Sequence, residues 1–133
     1  MDQMLERLNN LDLYKQEAVN MGTLYEGILS MCEAVNKTAA HSSGSSAKMA
    51  QTARKQAETM YQQYMESVSR YYGELLTIEN WLECECEDPE LAAVIRYHYI
   101  IGYDWRETSK AVYGKPSYHT ARKKIFRYFG EEG

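Results

Sequence analysis

No apolar run in this sequence approaches the roughly 20 residues that a membrane-crossing helix needs. Cysteine is scarce and odd in number (Cys32, Cys84 and Cys86), and no secretory signal opens the chain. That combination favours free thiols in a reducing, cytoplasmic setting over a disulfide framework. Histidine is equally scarce. None of His41, His98 and His119 stands at ligand spacing from Cys84-Glu85-Cys86, so the four ligands of a structural zinc site are not there. The chain also lacks a glycine-rich phosphate loop and any Ser/His/Asp or Cys/His arrangement for nucleophilic catalysis. These gaps point away from an enzyme, a metal, a cofactor or a small-molecule substrate, and away from a membrane partner.

What the sequence does have is an uneven distribution of charge. Residues 1–90 carry 7 Lys and Arg against 15 Asp and Glu, whereas residues 91–133 carry 8 against 4. A basic end on an acidic chain is a pointer to nucleic acid on the basic side, with the acidic part keeping the whole soluble.

Two long segments show an apolar rhythm of alternating four- and three-residue steps. The first passes through Tyr14, Ala18, Met21, Tyr25, Ile28, Cys32, Val35 and Ala39, with Leu5, Leu8 and Leu11 upstream. The second passes through Ala57, Tyr61, Tyr64, Val68, Tyr71, Leu75, Ile78 and Leu82. Such steps lay side chains along one helix stripe that must be covered by another helix. The polar, aperiodic HSSGSS at 41–46 reads as a flexible turn between them, so the expectation for 1–87 is an acidic antiparallel helical hairpin. Its seam is rich in Tyr and poor in Leu, with Tyr25, Ile28, Tyr64, Val68, Tyr71 and Leu75 at its centre. It packs within one chain or between chains, and the likeness to a coiled coil makes a homo-oligomer the expectation. Gly22, Gly27 and Gly73 each weaken their helix by about 1 kcal/mol relative to Ala, which packing must offset.

From Asp88 onward the punctuation changes. Asp88-Pro89-Glu90 is a helix start, with an N-cap acid followed by Pro at the first helical position. Three short helices follow: Pro89 to Ile101, closed by Gly102; one opening after Asp104 with Glu107 in capping-box position, closed by Gly114; and one from near Ser117 to Gly130. The last two, joined by Gly114-Lys115-Pro116-Ser117, have the outline of a helix-turn-helix. Trp105, Ala111 and Val112 would then face Ala121, Ile125, Tyr128 and Phe129. In that geometry the start of the second helix meets base edges and surrounding cations hold phosphates. Ser117, Tyr118, His119, Thr120 and Lys123 are the candidate base contacts. Arg106, Lys115, Arg122, Lys124 and Arg127 are the candidate phosphate contacts. The fold class expected is all-α, a long hairpin at 1–87 followed by a three-helix module at 88–133.

The run from Arg96 through Tyr99, Gly102 and Trp105 resembles the pattern R-x-x-Y-x-x-G-x-x-W-x-x-(I/V)-A of sigma-70 region 4-like helix-turn-helix domains. It is similar in particular to small phage and prophage proteins of Firmicutes that join a helical half to such a domain. The ending Thr120–Phe129 resembles their recognition helix. Thr108 and Ser109 depart from the pattern, which has an aliphatic residue and Ala there. The resemblance covers about the last 40 residues and implies a sequence-specific, double-stranded-DNA-binding transcriptional regulator of late-gene activator type in a bacterial host. The acidic hairpin would then oligomerise or touch RNA polymerase. Two other roles suit the same outline: a small-terminase-like DNA-packaging protein, and a phage inhibitor that binds a host factor.

Overall fold

The computed structural model describes residues 3–39 and 44–130; among them helices dominate and no strand occurs. Helix α1 spans Gln3–Ala39 and α2 spans Gly44–Cys84. Helix α3, Pro89–Ile95, continues directly into a π-helical segment, Arg96–Ile101. Helices α4 and α5 span Trp105–Tyr113 and Thr120–Phe129. None of the described helices is long and apolar enough to cross a membrane. Of the turn expected at 41–46, residues 41–43 lie outside the described residues, whereas 44–46 already belong to α2. The first N–H groups of a helix need no intrahelical partner, so Gly and Ser are tolerated in that opening turn.

Contacts group the chain into two compact units, Tyr14–Tyr71 on one hand and Met1–Leu13 with Tyr72–Gly133 on the other. Asp88 therefore marks a helix start, while the unit around it also takes in the beginning of α1 and the end of α2.

In the unit of residues 14–71, α1 and α2 lie side by side. Glu17 pairs with Arg70 at 3.2 Å, and the Tyr25 ring meets those of Tyr61 and Tyr64 at centroid distances of 5.4 and 6.0 Å. Partners descend along α2 as they ascend along α1, so this pairing is antiparallel. Ala18, Cys32, Ala50, Ala53, Ala57 and Ser67 are buried. Tyr25, Ile28, Tyr64, Val68 and Tyr71 are only half-buried, and Tyr61 is exposed. Small residues on α2 admit the neighbouring helix, and the tyrosines, half-buried or exposed, line its flanks. Of the α2 stripe, Ala57, Ile78 and Leu82 are buried as expected, while at its middle Ser67 is buried in place of Val68, its hydroxyl donating to the Tyr64 carbonyl at 2.7 Å.

In the other unit the fully buried large apolar side chains are Leu5, Leu8 and Leu11 of α1, Ile78 of α2, Leu91, Val94 and Ile95 of α3, and Ile125 of α5. Leu75, expected at the seam, is half-buried in this unit. Arg7 reaches Glu74 and Arg96 reaches Glu79, each at 3.1 Å. Such exposed pairs contribute at most about 1 kcal/mol, so they fix register more than they stabilise. Cys32, Cys84 and Cys86 are free thiols.

Glycine positions in the long helices separate two causes. A Cβ added at Gly22 would lie 3.1 Å from Cε1 of Tyr64, whereas at Gly27 and Gly73 it would meet nothing within 4 Å. Gly27→Ala and Gly73→Ala should each stabilise the protein by about 0.5–1 kcal/mol through helix propensity. Gly22→Ala should gain less, because the Tyr64 ring must give way. Urea midpoints of the three variants check this order.

Candidate nucleic-acid interface

The basic end is built on α3, α4 and α5, each opened by local chemistry. Asp88 caps α3, one carboxylate oxygen accepting the N–H groups of Glu90 and Leu91 at 3.0 and 3.2 Å. Asp104 and Glu107 form a reciprocal capping box on α4: the Glu107 N–H donates to Asp104 at 2.8 Å, and the Asp104 N–H to Glu107 at 3.2 Å. Gly102, Gly114 and Gly130 close the π segment, α4 and α5 with φ of 97°, 84° and 76°, a region that side chains disfavour. Helix α5 begins at Thr120, later than Ser117, because the Ser117 hydroxyl accepts the N–H groups of His119 and Thr120, both at 3.3 Å. Those bonds hold residues 117–119 in a turn before the helix.

The packing between α4 and α5 differs from the apolar one expected. Thr108 and Ser109 are both 0% exposed, while Ala111 is exposed and Val112 half-buried. Ser109 Oγ accepts the N–H of Ala121 at 3.1 Å, and Ala121 is itself fully buried. The polar residue at the centre of the pair is therefore satisfied, and it satisfies a helix-end donor that water cannot reach. Tyr128 and Phe129, expected against α4, instead meet Trp81 of α2 at centroid distances of 6.1 and 6.2 Å.

Trp105, expected to face α5, is half-buried and stacks on His98 with centroids 3.5 Å apart. The π segment places this pair beside two more rings: Tyr99 meets Trp105 edge-on at 6.1 Å, and Tyr97 stacks on Tyr103 at 5.6 Å. His98 Nδ1 lies 2.7 Å from the Tyr103 carbonyl, which can only accept, so Nδ1 carries the proton. Burial lowers the His98 pKa below its ordinary value, outweighing the Tyr103 carbonyl and Asp104, which act in the opposite direction. Burial alone pushes Tyr99 up to about 12.

The cations divide into two sets. Lys124 is neutralised: its ammonium lies 2.6 Å from Asp88 and 3.0 Å from Glu90, which raises its pKa and lowers those of both acids. The Tyr113 hydroxyl joins the cluster through Glu90, and burial followed by that bond lifts it to about 12. Arg122 lies over the rings of Phe126 and Tyr118, at 4.8 and 5.5 Å. In contrast, among the described residues no hydrogen bond or ion pair engages the side chains of Arg106, Lys110, Lys115, Lys123 or Arg127, and all five are exposed. Thr120, Lys123 and Arg127 fall on one face of α5 at i, i+3 and i+7. His119 and Tyr118 are exposed just before the helix, where their rings meet edge-on at 5.1 Å.

Of the candidates read from the sequence, Tyr118, His119, Thr120, Lys123, Arg106, Lys115 and Arg127 are thus exposed on this end. Ser117 is engaged in the turn, and Lys124 faces the start of α3 rather than solvent. The Lys124 cluster with Asp88, Glu90 and Tyr113 was missed because its members lie far apart in sequence. So was Lys110, although its position on the α4 surface was readable from helical spacing. Comparison with protein-family models, curated proteins and solved structures finds no match for this chain.

Two outcomes test this account of the site. Ser109→Ala leaves the Ala121 N–H buried without an acceptor and should cost about 1–3 kcal/mol. Thr108→Val should cost less, since the Thr108 hydroxyl is 3.5 Å from its acceptor, the Tyr103 carbonyl. Urea unfolding distinguishes the two. The lowered His98 pKa means that unfolding takes up a proton below the unfolded value of about 6.5. Stability from this residue is complete above that pH and is lost as pH falls through the lowered folded value. The melting temperature should therefore drop from pH 7.5 to 5.5, and His98→Phe should flatten that dependence.

Proposed function

We propose that the protein is a sequence-specific DNA-binding regulator of transcription, of the phage type its sequence resembles, with α4 and α5 acting as a helix-turn-helix. The observation that carries this reading is the sorting of charge. In the unit that holds the basic end, Arg7, Arg96 and Lys124 each have a carboxylate partner and Arg106 lies in the field of Asp104, whereas among the described residues four exposed cations, Lys110, Lys115, Lys123 and Arg127, have neither ion pair nor hydrogen bond. Their counter-charge would come from DNA phosphates, and neutralising them releases condensed ions from the duplex. Helix α5 would enter the major groove, with Tyr118, His119 and Thr120 at its leading end near base edges.

One such module covers little DNA, so useful affinity calls for more than one copy. Leu13, Leu24, Met31 and Leu76 are exposed large apolar side chains on α1 and α2, which supports a homo-oligomer built through the acidic helices or a contact of those helices with RNA polymerase. A packaging protein of the small-terminase kind would also join such helices to a DNA reader, and its mass in solution would be that of a ring rather than a dimer.

The test is fluorescence anisotropy of the full chain on duplex DNA, first on a randomised pool and then on selected sequences. Affinity should fall log-linearly with salt between 50 and 200 mM, with a slope of about −0.9 for each phosphate neutralised. Selection should converge on a defined site. Absence of duplex binding at low salt would sink the reading.

A further inference from the structure

Between the start of α3, the end of α4 and the outer side of α5 lies an open groove of about 550 Å³, lined by Glu90, Tyr113, Thr120, Lys123, Lys124 and Arg127. Its acidic side is already engaged. Glu90 takes the Tyr113 hydroxyl and the Lys124 ammonium, and Asp88 takes the same ammonium from the other side. The Thr120 hydroxyl donates to Ser117 at 2.9 Å. What remains is a pair of cations, Lys123 and Arg127, one helical turn apart on the same helix, with neither hydrogen bond nor ion pair on either side chain among the described residues.

Two like charges at i and i+4 repel each other across a helix face. The carboxylate that lines the groove, Glu90, is held by other donors, so the pair has no partner among the described residues. A flat surface would leave each cation to water separately. A concave wall brings them to bear on one volume, where a single tetrahedral oxyanion can take the planar fork of an arginine and the point charge of a lysine together.

We propose that this groove binds one phosphate group, with the Lys123 ammonium and the Arg127 guanidinium as its two ligands, and that its occupant is a single phosphodiester of the DNA backbone. The choice of occupant rests on the DNA reading above; the phosphate chemistry of the groove does not. The assignment also moves Lys123 from reading base edges to positioning the backbone. It lies one turn into α5, beside Arg127, while Thr120 and the residues before it form the leading end. The held cluster of Lys124, Glu90 and Tyr113 becomes the floor that keeps the two ligands to one side.

The test uses the full chain and its variants Lys123→Gln, Arg127→Gln and the double variant, with Lys110→Gln as a cation outside the groove. All three positions are exposed, and circular dichroism confirms folding before use. The readout is the salt slope of duplex binding. Two cations sharing one phosphate predict that the double variant loses about one unit of slope in total, with each single variant losing less than one. Losses that add to about two, as two separate phosphates require, overturn the proposal, and so does an unchanged slope.

If the wild-type chain binds no duplex, the DNA reading falls on its own, and inorganic phosphate then decides the site. Saturable amide shifts in the ¹⁵N spectrum confined to Tyr113, Thr120, Lys123 and Arg127, lost in the double variant, uphold the phosphate site with a free phosphate as its occupant. Shifts that do not saturate, or that survive in the double variant, overturn it.

Discussion

The first turn of helix α5 has one face in the core and one in water. Ala121 is fully buried at its first turn, so a backbone N–H that would ordinarily be left to water must find an acceptor in the core. Ser109 supplies it at 3.1 Å from the facing side of α4. A hydroxyl at the centre of a helix pair is costly when unsatisfied, and here each group removes the other's penalty. The position and angle of α5 follow from this contact, and with them the direction in which Lys123 and Arg127 point. An alanine at 109 would fit the space and leave the donor unpaired.

Around that contact the acids and bases are divided by role. Asp88 caps α3 with one oxygen and holds Lys124 with the other, so one carboxylate joins the start of α3 to the side of α5. Glu90 shares the same ammonium and also takes the Tyr113 hydroxyl, drawing in the end of α4. Asp88 and Glu90 are thus engaged internally, whereas among the described residues no carboxylate pairs with Lys110, Lys115, Lys123 or Arg127.

The sequence made the local punctuation legible. Asp88-Pro89, the Asp104–Glu107 pair and the glycines at 102, 114 and 130 act on neighbours a few residues away, and each stands where it was read. Contacts that join distant parts were not legible. Nothing in the rhythm of α1 shows that Leu5, Leu8 and Leu11 belong to the same unit as α3 and α5, or that Trp81 meets Tyr128 and Phe129. The stripe on α2 holds at Ala57, Ile78 and Leu82 but misses Ser67, which, polar by type, becomes a core residue once its hydroxyl bonds to the Tyr64 carbonyl. Ala111 was read as inward by its apolarity, yet Thr108 and Ser109 occupy the inner face. For the interface itself, residue type marked Arg106, Lys115, Lys123 and Arg127, which are exposed, but passed over Lys110 and could not separate Lys124 from Lys123, its immediate neighbour.

The π-helical turn at Arg96–Ile101 bears on how the chain tolerates change in length. Its hydrogen bonds skip one residue more than those of an α-helix, so it accommodates an extra residue without ending the helix. That extra residue turns the rings of Tyr97, His98 and Tyr99 to meet Tyr103 and Trp105. Removing one residue between 96 and 101 would let the segment close into an ordinary α-helix. Tyr97, His98 and Tyr99 would then no longer be turned to meet Tyr103 and Trp105. The length of the segment, and not only its ring content, therefore holds the aromatic cluster together.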